Sequence, residues 1–332
     1  MFKFYFNFSL HINRTGKARN VSPNSRKKAI SFTGYAEKEI LHKKNSHSYS
    51  TSQNYRTALN SFLKFLDGED VPLHKIDSVL IGDYQKWLEN HNVCLNSISC
   101  YMRSLRAIYN RAIGGKKAIR EHPFKKVFTG IEKTQKRSIN KEDIRRLQSL
   151  NLKAGTYMCL VRDIFLLSFY ACGIPFVDIA YMKKNQISDG YLTYTRHKTK
   201  QKVRISLEPC MTAILNKYMS EDREHIFPII DSTDSETAYR QYRNGICRYN
   251  KSLKLLGKKC GKTCNLSSYV ARHTWASLAY HSNVDIPVIS KALGHISPRT
   301  TVIYVKEIND RSFESANRKF LDKILGGLHT SI

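Results

Sequence analysis

The sequence is short of acidic residues. Asp and Glu number 27 against 55 Lys and Arg, a formal charge of +28 over 332 residues. An excess of that size points to a polyanionic partner, with a nucleic-acid phosphate backbone the first expectation and an RNA or an acidic protein behind it. Long apolar runs are also missing, and none approaches the ~20 residues of a membrane span. The aromatic start MFKFYFNFSLHI is interrupted by Asn7, Ser9 and His11, and no small-residue cleavage site follows it. That argues against a signal peptide. The eight Cys lack the spacing of a disulfide scaffold, which fits a reducing cytoplasm. Cys247, Cys260, Cys264 and His273 match no usual zinc spacing. Gly261-Lys262-Thr263 imitates the end of a phosphate-binding loop, but Leu256 stands where that motif needs Gly, and no strand precedes it. An ATPase is therefore excluded, and Lys262 is expected in a basic loop touching the DNA backbone.

What is present suggests two domains with proper cores, since 41% of residues are hydrophobic. Residues 1–30 are basic, poor in periodicity and punctuated by Gly16 and Pro23, so a flexible basic arm is expected. Residues 31–121 read as a helical domain. Phe32, Tyr35, Ile40 and Leu41 mark a first helix, and Tyr55, Ala58, Leu59 and Phe62 repeat at helical spacing in a second. The segment from Ile76 to Leu88 is a third helix with Trp87 in the core. A fourth starts at Asn96 as N-cap and buries Ile98, Met102, Leu105 and Ile108. Its other face carries Arg103, Arg106 and Asn110 within about 60° of one another. Arg and Asn read guanine and adenine edges, so this face is a DNA-contact candidate, with a solvated charged face as the plain alternative. Arg111, Lys116 and Lys117 extend the basic surface. The interdomain linker is expected at 122–138, and Asn140 with Asp143 forms a capping-box start for the next helix.

In the remainder, 139–332, residues 157–182 are strongly apolar and broken at Gly173-Ile174-Pro175. Residues 186–207 switch to period two. Leu192, Tyr194 and Arg196 alternate on one strand and Val203, Ile205 and Leu207 on the return. Lys198 lies at the tip, with Lys200 and Lys202 beside it. Further helices follow over 211–219 and 238–256. From Tyr269 the chain reads Arg272-His273-Thr274-Trp275, then a short helix after Pro287 that stops at Gly294, then His295, and Tyr304 nine residues beyond.

Ala-Arg-His-Thr-Trp, Leu-Gly-His and the spaced Tyr, in this order, resemble the closing box of the tyrosine site-specific recombinases, phage-type integrases, in their Bacteroides-like branch. The resemblance covers about residues 31–325. It implies a mainly α fold with a small antiparallel β-sheet. A SAM-like core-binding domain and a catalytic domain would close around double-stranded DNA as a C-shaped clamp. It implies Tyr304 as the nucleophile that stores phosphodiester energy as a phosphotyrosine. Arg272 would clamp the phosphate, His295 would stabilise charge near phosphorus, and Lys198 would protonate the leaving 5′-oxygen. No metal or nucleotide cofactor is implied. Four protomers would synapse two sites through a Holliday junction, with a host DNA-bending protein as an optional partner and a cytoplasmic, nucleoid-associated location.

The chain departs from the family twice. Pro175 stands where a first catalytic Arg is expected, and Arg162, in an Arg-Asp-x-Phe pattern, is the candidate substitute. The alternative is that Arg162 pairs with Asp163. Tyr269 replaces a His three residues before Arg272, either to bond a phosphate oxygen or to pack. The loss at Pro175 keeps open a DNA-binding protein without catalysis. A type IB topoisomerase is disfavoured by the helical front end. The segment from Ser312 to Leu325 reads as an amphipathic helix that docks on its own domain or on a neighbouring protomer.

Overall fold

The computed structural model describes residues 31–114, 122–132, 134, 137–261 and 265–302. The chain divides into two compact units, the first ending at Ile131 and the second beginning at Glu132.

The first unit is built on four helices: α1 (Phe32–Asn45), α2 (Tyr49–Phe65), α3 (Ser78–Asn90) and α4 (Leu95–Ala112). The Ser31 hydroxyl accepts from Gly34 N at the start of α1, and Asp77 accepts from Val79 N and Leu80 N at the start of α3. The periodic residues of α4 face inward, with Ile98, Met102, Leu105 and Ile108 fully buried. At about 1.5–3 kcal/mol for each fully buried side chain, this face outweighs the weak start of the helix. That start differs from expectation. Cys94, not Asn96, is the N-cap, and it makes no side-chain capping bond. Trp87 is half-buried at the core margin, packed with Phe65 and Tyr84 rather than enclosed.

The expected linker begins too early. Phe124 and Val127 are buried in the first core. Ser99 Oγ donates to Gly130 O at 2.6 Å, and Phe128 N donates to Gln85 Oε1 at 2.7 Å. Residues 122–131 thus pack as part of this unit.

The second unit surrounds α6 (Tyr157–Tyr170), whose Val161, Phe165 and Leu167 are fully buried. Packed around it are α5 (Lys141–Ser149), α8 (Pro209–Tyr218), α9 (Ser235–Lys259) and α10 (Val270–His281). Asn140 and Asp143 form a reciprocal capping box on α5. After α6 the chain turns through Gly173 into α7 (Phe176–Ala180), with Pro175 as N-cap. Strands β1 (Ile187–Ser188), β2 (Tyr191–Thr195) and β3 (Lys202–Ser206) form an antiparallel sheet in that order. Leu192 pairs with Ile205 and Tyr194 with Val203, so the inward face of the hairpin continues the core. Two short helices, α11 (Ile286–Ala292) and α12 (Pro298–Val302), close the described chain. Among the described residues no helix is long and apolar enough to cross a membrane. The basic arm, Lys116, Lys117, Lys262, Tyr304 and the 312–325 segment lie outside the described residues.

Candidate active site

Arg272 sits in the first turn of α10 and is only 1% exposed. Its Nη1 donates to Gly173 O at 2.7 Å, and its Nη2 donates to Leu293 O at 2.6 Å and to His295 Nε2 at 2.9 Å. The guanidinium is therefore oriented by the turn after α6 and by the carbonyl end of α11, where helix carbonyls lack partners and attract cations. Gly173 has φ +73°, and a Cβ there would come within 2.9 Å of Arg272 Cα. Glycine is needed at this position for backbone conformation and for the close approach of Arg272.

A second guanidinium converges on the same end of α11. Arg196, 5% exposed, donates from Nη1 to Leu293 O at 2.8 Å and to Gly294 O at 3.1 Å. Thr199 Oγ1 also donates to Gly294 O, at 3.0 Å. Gly294 has φ +63°, and a Cβ there would lie 2.5 Å from Arg196 Cδ. Asp178, buried on α7, sits with Oδ2 3.7 Å from Arg196 Nε. Its Oδ1 accepts from His197 N and bonds His197 Nδ1, both at 2.9 Å. One carboxylate thus sets the backbone just before Lys198. Arg196 N donates to Gln201 O and Lys200 N donates to Arg196 O, closing the hairpin turn. Lys198, Lys200 and Lys202 are exposed on it.

His295 follows the α11 stop, and its Nδ1 is 2.9 Å from Thr301 Oγ1. Burial, then Arg272, Arg196 and Lys198, push its pKa down to about 4. The ring is neutral near pH 7. Tyr269, the residue at the start of α10, is 49% exposed. With Pro175, Phe176, Tyr242 and Arg272 it lines a small cavity of about 30 Å³.

Arg162 makes the pairing with Asp163 that the sequence offers as the alternative to filling the place left at Pro175. Its Nε donates to Asp163 Oδ1 at 2.9 Å and its Nη1 to Leu150 O at 2.7 Å. Asp163 Oδ2 also accepts from Lys217 Nζ at 2.6 Å and Tyr218 OH at 2.7 Å. Burial alone would raise the Asp163 carboxyl. The hydrogen bonds from Lys217, Tyr218 and Arg162 together hold it below its ordinary value. Arg196 is the residue that sequence reasoning missed. A signal was available, because a charged residue continues the inward alternation after Leu192 and Tyr194.

In the first unit, Arg103 and Asn110 are exposed and Arg106 is half-buried. Arg111 is partly committed to the fold, with Nη1 2.7 Å from Glu39 Oε2. Among the described residues no group of three or more His, Cys, Asp or Glu is placed to hold a metal.

Two guanidiniums and a neutral imidazole meet at the end of α11, with the exposed Lys198 close enough to act on the imidazole. The chain belongs to the phage integrase family, the tyrosine recombinases. The family model named "Phage integrase family" matches residues 135–311, and the "Phage integrase SAM-like domain" model matches residues 31–131. The chain is 26% identical to tyrosine recombinase XerC of Caldanaerobacter subterraneus subsp. tengcongensis, over 78% of this chain and 73% of that protein. It is 22% identical to XerD of Pseudomonas aeruginosa, over 77% and 86%. In fold it is similar to the Tn1549 transposon integrase in complex with transposon right end DNA, with a TM-score of 0.62, 11% identity, and 87% and 99% of the two chains covered. A lambda integrase dimer bound to a COC′ core site matches at TM-score 0.60, 18% identity, and 84% and 98%.

Proposed function

We propose that this chain is a site-specific recombinase of the Bacteroides-like branch that cuts and rejoins double-stranded DNA through a 3′-phosphotyrosine. One observation carries the reading. Two buried guanidiniums share the Leu293 carbonyl, and the Asp178 carboxylate stands beside that of Arg196. Buried cationic charge that backbone dipoles only partly offset is stabilised by an arriving anion, and a scissile phosphate has the matching geometry.

Tyr304 supplies the nucleophilic oxygen. It bonds to phosphorus as the P–O5′ bond breaks, and Lys198 gives a proton to the leaving 5′-oxygen. Arg272 and Arg196 stabilise the charge that builds on the non-bridging oxygens, with Arg196 doing the work of the Arg missing at Pro175. Tyr269 bonds a phosphate oxygen or packs beside Arg272. The reverse attack by a 5′-hydroxyl rejoins the strand, so neither step consumes a nucleotide.

Arg103, Arg106 and Asn110 contact the duplex through the exposed face of α4. Lys200 and Lys202 add backbone contacts beside Lys198, as do Lys116, Lys117 and Lys262. Crystals of lambda integrase hold a tetramer on a Holliday junction. The same assembly of four protomers is our reading here, for integration, excision or inversion of a mobile element on nucleoid DNA.

The test is covalent capture. DNA bound to wild type and to Tyr304→Phe is purified from cells under denaturing conditions and sequenced. Adducts in wild type alone support the reading and identify the target. Adducts surviving in Tyr304→Phe remove Tyr304 as nucleophile. Sequence-specific binding without adducts in either favours the second reading, a DNA-binding family member without catalysis, which the proline at 175 keeps in play.

A further inference from the structure

The contacts of His295 determine which of its nitrogens carries the proton. A guanidinium has only donors, so Nε2, 2.9 Å from Arg272 Nη2, presents a lone pair. A neutral imidazole with its lone pair on Nε2 is protonated on Nδ1. That proton points at Thr301 Oγ1, 2.9 Å away on α12, which therefore accepts it. Thr301 is 0% exposed, so bulk water does not replace its hydroxyl. The charged groups facing the ring among the described residues are Arg272 from α10, and Arg196 and Lys198 from the hairpin. All are cations, and the ring is accordingly neutral in the free protein.

We propose that Thr301 is a positioning residue for the cleavage step. It accepts the Nδ1 proton of His295 and so keeps Nε2 as a proton acceptor, which Arg272 caps until a phosphate oxygen draws the Arg272 N–H away. This rests on the recombinase reading above. The bound phosphate uncaps the base and brings negative charge that raises its basicity. Tyr304 then gives its hydroxyl proton to His295 Nε2 as its oxygen bonds to phosphorus. The P–O5′ bond breaks, and Lys198 supplies the proton to O5′. His295 leaves the step as an imidazolium, with Nδ1–H still held by Thr301, and returns the proton to the tyrosine oxygen on rejoining. Coupling the base to the phosphate keeps the tyrosine quiet in the absence of DNA.

The test has a spectroscopic arm and a kinetic arm on the full chain. In the first, the imidazole nitrogens are labelled with ¹⁵N, and His295→Gln identifies the signal among the 12 histidines. Wild type and Thr301→Ser are expected as the Nδ1–H tautomer at pH 7, and Thr301→Val as a mixture. An Nε2–H tautomer in free wild type overturns the proposal.

In the second arm, adduct formation is timed on the captured target DNA and on the same DNA with sulfur at the bridging 5′ position, which departs without a proton. Thr301→Val is expected about 10²-fold slower on both substrates, with DNA affinity unchanged and Thr301→Ser close to wild type. Restoration of Thr301→Val to the wild-type rate by sulfur would place His295 on the leaving-group side and overturn the proposal. Wild type that binds its target without forming adducts would sink the recombinase reading and the proton transfer with it. The tautomer measurement alone decides whether Thr301 positions the ring.

Discussion

Two arginine clusters in the second unit differ in the groups that accept their hydrogen bonds. Around Arg162, the cation meets the Asp163 carboxylate directly, and Lys217 and Tyr218 complete that carboxylate's shell. Around Arg272 and Arg196, the acceptors are mainly the carbonyls of Gly173, Leu293 and Gly294, and Asp178 Oδ2 stands 3.7 Å from Arg196 Nε. The first cluster sets a carboxylate in direct contact with its cations and ties α5, α6 and α8 together. The second orients its two guanidiniums mainly with backbone carbonyls. Burial of an arginine therefore does not by itself separate scaffold from site. The identity of its acceptors does.

Substitutions at the two clusters should separate stability from chemistry. Arg272→Ala should lower the rate of adduct formation by about 10³-fold, the scale of losing a preorganised donor to the reacting phosphate. Arg196→Gln should lower the rate by about 10²-fold. Arg162→Ala should do the reverse, costing about 2 kcal/mol in urea unfolding while the folded fraction cleaves at the wild-type rate. Cleavage lost in Arg162→Ala without loss of stability would break the contrast and return Arg162 to the site.

The glycines sharpen the same comparison. Gly173→Ala forces a side chain to φ +73° and into Arg272, and Gly294→Ala forces one to φ +63° and into Arg196. Each should cost about 1–3 kcal/mol and slow cleavage as well, since strain is released by moving the guanidinium. Paired urea and adduct measurements should show both losses, whereas Gly190→Ala, where the space around Cβ is open, should change stability alone.

The smallest effect is in pH. The Asp163 carboxyl is held below its ordinary 3.8, so its contribution to stability is complete above that value. It is lost as pH falls through the lowered folded-state value, because the unfolded chain then binds the proton more readily. Asp163→Asn should flatten that part of an acid titration of urea midpoints. An unchanged acid limb would mean the Asp163 cluster contributes nothing to folding through its charge.

The helices were legible where one physical pattern dominated. Ile98, Met102, Leu105 and Ile108 repeat at helical spacing and are all buried, because a single apolar stripe has only one way to leave water. The capping box of Asn140 and Asp143 was readable because both bonds are local. The start of α4 was not, since Cys94 precedes the helix without a capping bond and packing sets the boundary. The early boundary at 121 failed for a related reason. Basic, Gly- and Pro-containing sequence after Lys116 resembles linker, while Phe124 and Val127 find their pockets only in the folded unit.

In the site, Arg272 and His295 could be named from a local motif, and their placement on α10 and just after α11 follows from it. The inward alternation after Leu192 and Tyr194 marked Arg196 as a buried charge, but the partners of Arg162 and Arg196 were not legible in the sequence. Residue type says nothing of whether a carboxylate or a carbonyl will face an arginine in the folded chain. By itself the chain determined its helical periodicity, its hairpin alternation, its basic charge and the motif around Arg272, because each depends on neighbours within a few residues. The tertiary structure alone decided that Arg196 meets Arg272 at Leu293 O, across 97 and 21 residues from that carbonyl. It alone also placed Thr301 behind His295. Charge compensation and proton position depend on which groups share a few ångströms of low-dielectric space, and chain separation does not set that distance.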